Sequence, residues 1–172
     1  SVQADIPVDS FVISEKSIGC DGVLRFYANN ESVCDHPFEE AFIRHCRWTP
    51  SAARPYVVNA DPGLADRLYD EEHTIKGVTL TAVGFYGPQG RVLRLPLAMP
   101  GINDRITAFR YEGYKVTNYE MESAAITGLC NLLGHRAATI CLIIANRING
   151  DASADYHSYM NKLIRYTLEK LS

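Results

Sequence analysis

Two acids stand one residue apart in Tyr119-Glu120-Met121-Glu122-Ser123. A carboxylate accepts hydrogens from sugar hydroxyls, and its charge favours a sugar that turns cationic at its anomeric carbon. Met121, unbranched and polarisable, suits the apolar face of a sugar ring, though a plain core methionine has the same character. Upstream, Gly84-Phe85-Tyr86-Gly87-Pro88-Gln89-Gly90-Arg91 places Gln89 and Arg91 two apart. On an extended backbone they point the same way. A glutamine amide sets a donor beside an acceptor, as a carbonyl/N–H edge of a flat heterocycle does. An arginine brings fixed positive donors to a carbonyl oxygen that gains charge as a bond breaks. Downstream, Ile143-Ile144-Ala145-Asn146-Arg147 ends an apolar run in a second arginine. The bland alternatives are a solvated turn for Gln89 and Arg91, and an ordinary first-turn acid for Glu122, which a helix dipole favours.

The elements around these residues set their placement. Val116 and Tyr119 lie on a strand, the acids follow at its carboxyl end, and Ser123 to Leu133 reads as a helix closed by Gly134. In open α/β sheets, that edge is where ligands sit. Lys76 to Val83 is a β-branched central strand leading into Phe85. Arg136 to Ala145 is the most apolar stretch and reads as a strand buried on both faces. Elsewhere, Ser10 to Ser14 reads as a strand, Ser17 to Gly22 as a loop, Val23 to Tyr27 as a strand or extended arm, and Val92 to Leu95 as a short strand. Pro37 to Cys46, Asp61 to about Glu72, Asn103 to Tyr114 and the segment from Tyr156 to Leu171 carry helical spacing, the second with an Asp-Pro start and the third ended by Gly113. Strands alternating with helices give an α/β layered fold with a parallel or mixed sheet, and no linker or repeat divides the 172 residues.

A net charge of −3 gives no electrostatic case for nucleic acid or an anionic membrane surface. No apolar run reaches the length of a membrane span. Five cysteines, odd in number and without a Cys-x-x-Cys pair, fit a reducing, cytoplasmic location. Cys34-Asp35-His36 and His45-Cys46 match no zinc spacing, so no metal is expected.

Three motifs, Phe85-Tyr86 with Gln89 and Arg91, then Glu120-Met121-Glu122-Ser123, then Asn146-Arg147, give the chain its resemblance to the uridine phosphorylases of the nucleoside phosphorylase superfamily. The resemblance covers nearly all of these residues. It implies a three-layer αβα fold with a central mixed β-sheet, and reversible phosphorolysis of uridine to uracil and ribose 1-phosphate. It implies that Arg91, Glu122 and Arg147 are catalytic, and that Phe85, Gln89, Arg91, Glu120, Met121, Glu122 and Arg147 bind substrate. Gln89 would read the uracil edge, Arg91 would steady O4, Arg147 would reinforce it, and Glu122 would hold the ribose 2′- and 3′-hydroxyls. A purine enzyme of this superfamily would carry an aspartate where Asn146-Arg147 stands, which favours uridine. Inorganic phosphate would be a co-substrate, with no other cofactor, and a homo-oligomer (dimer or hexamer) is expected. The family's phosphate-binding Arg-x-Gly-Thr stretch and glycine-rich loop would precede Val2 to Pro7, and no loop here replaces them. The chain is thus expected to be one incomplete domain, a fragment that needs its amino-terminal part for catalysis. A nucleosidase, a purine phosphorylase and a non-catalytic nucleoside-binding paralogue are the alternatives.

Overall fold

The computed structural model describes residues 1–172. The chain runs β1 (Phe11–Gly19), α1 (His36–Cys46), β2 (Tyr56–Asn59), α2 (Pro62–Leu68), β3 (Thr74–Thr81), α3 (Ile102–Ala108), β4 (Arg110–Tyr111), β5 (Tyr114–Glu120), α4 (Ser123–Leu132), β6 (Thr139–Leu142), β7 (Ala145–Asn146), β8 (Asp151–Ala152) and α5 (Tyr156–Leu171). The sheet order is β2-β1-β3-β5-β4. Strands β1, β3 and β5 are mutually parallel. Strand β4 is antiparallel to β5, and β6 and β2 lie antiparallel along the two halves of one edge of β1. The sheet is therefore mixed, as expected.

Side-chain alternation along the strands builds the layers. Val57 joins the large core with Phe38 and Phe42 of α1 and Ile102 and Ile106 of α3. Its neighbours Tyr56 and Val58 face Ala124 of α4 on the other side. Local chemistry sets the helix starts. Asp35 accepts from the Phe38 N–H (3.2 Å) and Asp61 from the Leu64 N–H (2.8 Å), each just ahead of a proline that needs no partner.

Several boundaries differ from the sequence reading. Strand β1 continues through Ser17 to Gly19, because Lys16 to Gly19 find partners on both β2 and β3. Val23–Phe26 is a 3-10 turn with Leu24 buried under α4, so its apolar residues mark a contact rather than a pleat. Val92 to Leu95 pairs with nothing and lies exposed. The helix expected over 103–114 stops at Ala108. Glu112 (φ 49°) and Gly113 (φ 82°) then make a tight hairpin turn between β4 and β5, a job done by the same glycine that looked like a helix stop. Helix α2 ends at Leu68 rather than Glu72. Strand β6 is shorter than the apolar run that contains it. It is half-buried rather than covered on both faces, because only β1 pairs with it and a cleft opens over Ile140 to Leu142.

Gly77 on β3 is fixed by close packing. A Cβ there would sit 2.2 Å from Thr117 Cγ2, and Thr117 is fully buried with its hydroxyl bonded to the Val78 carbonyl and to Asn118 Oδ1. Gly77→Ala is expected to cost about 2 kcal/mol by overpacking. For a chain of this size that is a fall in melting temperature of roughly 4–8 °C. Thermal denaturation monitored by circular dichroism measures it; an unchanged midpoint would show that Thr117 yields freely.

Candidate active site

Strands β3 and β5 run side by side, and their carboxyl ends deliver two loops to one edge of the sheet. The loop after β3 carries Phe85, Gln89 and Arg91, and the turn after β5 carries Met121 and Glu122. Opposite them, the segment after β6 carries Arg147. A cleft of about 540 Å³ is lined by all seven sequence-predicted residues, Phe85, Gln89, Arg91, Glu120, Met121, Glu122 and Arg147. The rest of its wall is mostly apolar, from Ile140 to Ala145 on one side and Met160 and Leu163 of α5 on the other, with Ser1, Asn118 and Tyr119 completing it. Burial, then the nearby charge of Glu120, pushes the Cys141 thiol in this wall up to about 11, so it stays neutral. A larger groove of about 850 Å³ lies along the same loop, but it is lined by leucines, prolines and Met99 with only Arg91 and Arg94 charged. It brings no acid and base-reading amide together.

At one end of the cleft Gln89 is 4% exposed, which removes the solvated-turn reading. The backbone there is not extended. Gly87–Gln89 form a 3-10 turn, and Gly90, left-handed at φ 69°, swings Arg91 back so that its Nη1 donates to Gln89 Oε1 at 2.6 Å. Arg147 donates from Nη2 to the same oxygen and from Nη1 to the Gln89 carbonyl (3.0 Å). An amide oxygen has two lone pairs, so both are taken and the Nε2 hydrogens are left for a ligand. Neither guanidinium meets a carboxylate. Burial and then the Arg91 charge lower the pKa of Arg147, although a guanidinium keeps its proton. The Arg91 guanidinium lies 3.8 Å from the Phe85 ring centroid, so Phe85, one of the expected substrate contacts, here stacks on the arginine. Arg147 sits 4.5 Å from the Tyr119 ring centroid.

At the other end the two acids divide the work. Glu120 Oε2 accepts from the N–H groups of Glu122 (2.7 Å) and Ser123 (2.6 Å), and Oε1 accepts from the Thr81 hydroxyl. That carboxylate therefore caps α4 and ties it to β3. Glu122 makes no capping bond and is exposed into the cleft. The capping carboxylate is thus Glu120, three residues ahead of Ser123, rather than Glu122, the first-turn alternative of the sequence reading.

Three residues at the site were given no role of their own by sequence reasoning. Asn146 is 1% exposed. Its Nδ2 donates to the Gln3 and Ile6 carbonyls (2.9 and 2.8 Å), and its Oδ1 accepts from the Ile148 and Asn149 N–H groups, so it ties the turn just after Arg147 to the amino-terminal segment. Asn103 donates to the Gln89 carbonyl and accepts from the Tyr119 hydroxyl. Adjacency to Arg147 was a signal for Asn146; for Asn103 there was none. No group of three His, Cys, Asp or Glu side chains is placed to hold a metal ion, and no helix is long and apolar enough to cross a membrane.

A uridine phosphorylase of Thermococcus kodakarensis is 33% identical over 157 residues, covering 88% of this chain and 47% of that protein. Uridine phosphorylase A of Schistosoma mansoni is 36% identical over 97 residues, and the inactive uridine phosphorylase B of the same organism 34% over 105, each covering 55% of this chain and 32% of the relative. The chain thus spans about half or less of the length of these curated relatives. A Trypanosoma brucei nucleoside phosphorylase, whose crystal structure is described as showing uridine phosphorylase activity, shares the fold. Its TM-score is 0.79 at 21% identity, over 99% of this chain and 60% of that one. A model of the phosphorylase superfamily matches residues 1–167, and with the fold shared as well the chain belongs to the phosphorylase superfamily.

Proposed function

We propose that this cleft binds the base and ribose of uridine, and that the protein catalyses reversible phosphorolysis of uridine to uracil and ribose 1-phosphate. The observation that carries the reading is charge placement. Two guanidinia without acidic partners are gathered on a buried glutamine at one end of the cleft, and the uncapped Glu122 carboxylate lies at the other. That polarity suits a reaction in which the C1′–N1 bond breaks, its electron pair passes into the base and towards O4, and the sugar becomes oxocarbenium-like. A phosphate oxygen then bonds to C1′, and the uracil anion takes its proton from solvent.

In this reading Gln89 Nε2 donates to uracil O2. The N3–H displaces one guanidinium from Gln89 Oε1, and the released donors move to O4, with Arg91 and Arg147 as the catalytic pair. Glu122 accepts from the ribose hydroxyls, Met121 covers the sugar face, Phe85 closes over the base, and Glu120 acts by holding Glu122. No cofactor is required, inorganic phosphate being the second substrate. The five free thiols fit a cytoplasmic protein, and a homo-oligomer is part of the proposal.

The test is release of uracil from uridine by the intact protein, with and without phosphate. Release that depends on phosphate and yields ribose 1-phosphate is the expected result. Release in water alone would make the protein a nucleosidase, release from inosine a purine enzyme, and binding without turnover a sensor, as the inactive Schistosoma relative makes worth checking. The only side-chain cations lining the cleft are the two arginines already engaged with Gln89. The 172-residue chain by itself is therefore expected to show no phosphorolysis, and measurable ribose 1-phosphate from that polypeptide would refute this.

A further inference from the structure

Asn103 stands in the first turn of α3, outside the cleft wall, yet it is bonded to the base-reading loop. Its Nδ2 donates to the backbone carbonyls of Gln89 (3.2 Å) and Gly90 (3.3 Å). Those oxygens only accept, so the amide nitrogen must face them and Oδ1 must face Tyr119, whose hydroxyl donates to it at 2.8 Å. Burial raises the Tyr119 pKa, keeping the phenol protonated and able to donate. The Tyr119 ring carries the Arg147 guanidinium, and Arg147 donates to the same Gln89 carbonyl that Asn103 holds. Four residues from four separate segments thus close a ring, Tyr119 to Asn103 to Gln89 to Arg147 and back to Tyr119. The loop is moulded to it: a Cβ on Gly90 would fall 2.4 Å from Asn103 Nδ2.

We propose that Asn103 is the positioning residue of the base end of the cleft, with Tyr119 fixing the direction of its amide. Asn103 sets the height and pitch of the Gln89 backbone, and through it where the Gln89 amide and both guanidinia meet a carbonyl/N–H edge. It touches no substrate. The inference rests on the nucleoside reading of the cleft.

Calorimetric titration of uracil into the intact protein tests it, with wild type, Asn103→Ala, the nearly isosteric Asn103→Asp, Tyr119→Phe, Gln89→Ala and the Asn103→Ala/Gln89→Ala double variant. The expected result is uracil binding that weakens about tenfold in both Asn103 variants and about threefold in Tyr119→Phe, from loss of the hydrogen bonds that hold the loop. In the Gln89→Ala background, Asn103→Ala should weaken binding by clearly less than its effect in wild type, since much of that effect passes through the missing Gln89 amide. A purely structural asparagine would lower the melting temperature and the number of binding sites but leave the dissociation constant unchanged, and that result overturns the proposal. So does additivity in the double variant. If Gln89→Ala weakens binding while the Asn103 variants do not, the positioning role falls and the nucleoside reading stands. If wild type binds neither uracil nor uridine, both fall.

Discussion

On the proposed uridine phosphorolysis, Arg147→Ala is expected to lower kcat/KM for uridine by about 10²–10³-fold in the intact protein, and Arg91→Ala nearly as much. The size is that of a lost preorganised donor to an oxygen that becomes anionic in the transition state. The Phe85 and Tyr119 rings hold both guanidinia beside Gln89 before substrate arrives, and binding shifts only one of them from Oε1 towards O4. Little reorganisation is needed when charge develops, and the effect should fall on kcat more than on KM. Arg147 is given the larger share because it also donates to the Gln89 carbonyl and sits between Asn146 and the turn that Asn146 holds. Arg147→Lys should rescue little, since an ammonium cannot reach two acceptors with a planar fork. Steady-state kinetics on uridine, with folding checked by melting temperature, provides the measurement. A loss below about tenfold, which is about 1.4 kcal/mol, would mean that the arginines merely buttress Gln89.

Two acids one residue apart should give opposite phenotypes. Glu122→Ala is expected to lower kcat/KM for uridine about 10²-fold or more while leaving stability within about 0.5 kcal/mol, since the exposed side chain makes no capping bond. Glu120→Ala strips the acceptor from two backbone N–H groups and from the Thr81 hydroxyl. It is expected to cost about 2 kcal/mol of stability. That is roughly 4–8 °C in melting temperature. Activity falls with it, because Met121 and Glu122 lose the turn that presents them. Comparing each variant on uridine and on 2′-deoxyuridine sharpens the contrast: the Glu122 defect should shrink on the substrate lacking one hydroxyl, whereas the Glu120 defect should not. Equal melting curves for the two variants would overturn this division of labour.

The strand–turn–helix from Val116 to Leu132 was legible because each part depends on near neighbours: alternation on β5, an acid at the turn, small residues on α4. The same holds for α1, α2 and α5, whose spacing and capping residues are local signals. Where apolar residues serve a distant partner the reading failed. Leu24 looked like strand and fills a niche under α4; Gly113 looked like a helix stop and turns a hairpin. The apolar run ending at Ala145 looked enclosed, and instead it walls a cleft.

By itself the sequence determined which chemical groups exist and the order in which strands and loops carry them. Those are properties of residue type and short-range periodicity. It also carried the three motifs that mark the superfamily. Only the tertiary structure decided what each group is free to do. Glu120 is occupied and Glu122 open because Thr81, 39 positions away, lies on the neighbouring parallel strand. Gln89 is a donor towards the cleft because Arg147, 58 positions away, takes its last lone pair. A side chain's partners and burial depend on segments brought together by the sheet, and no local pattern encodes them.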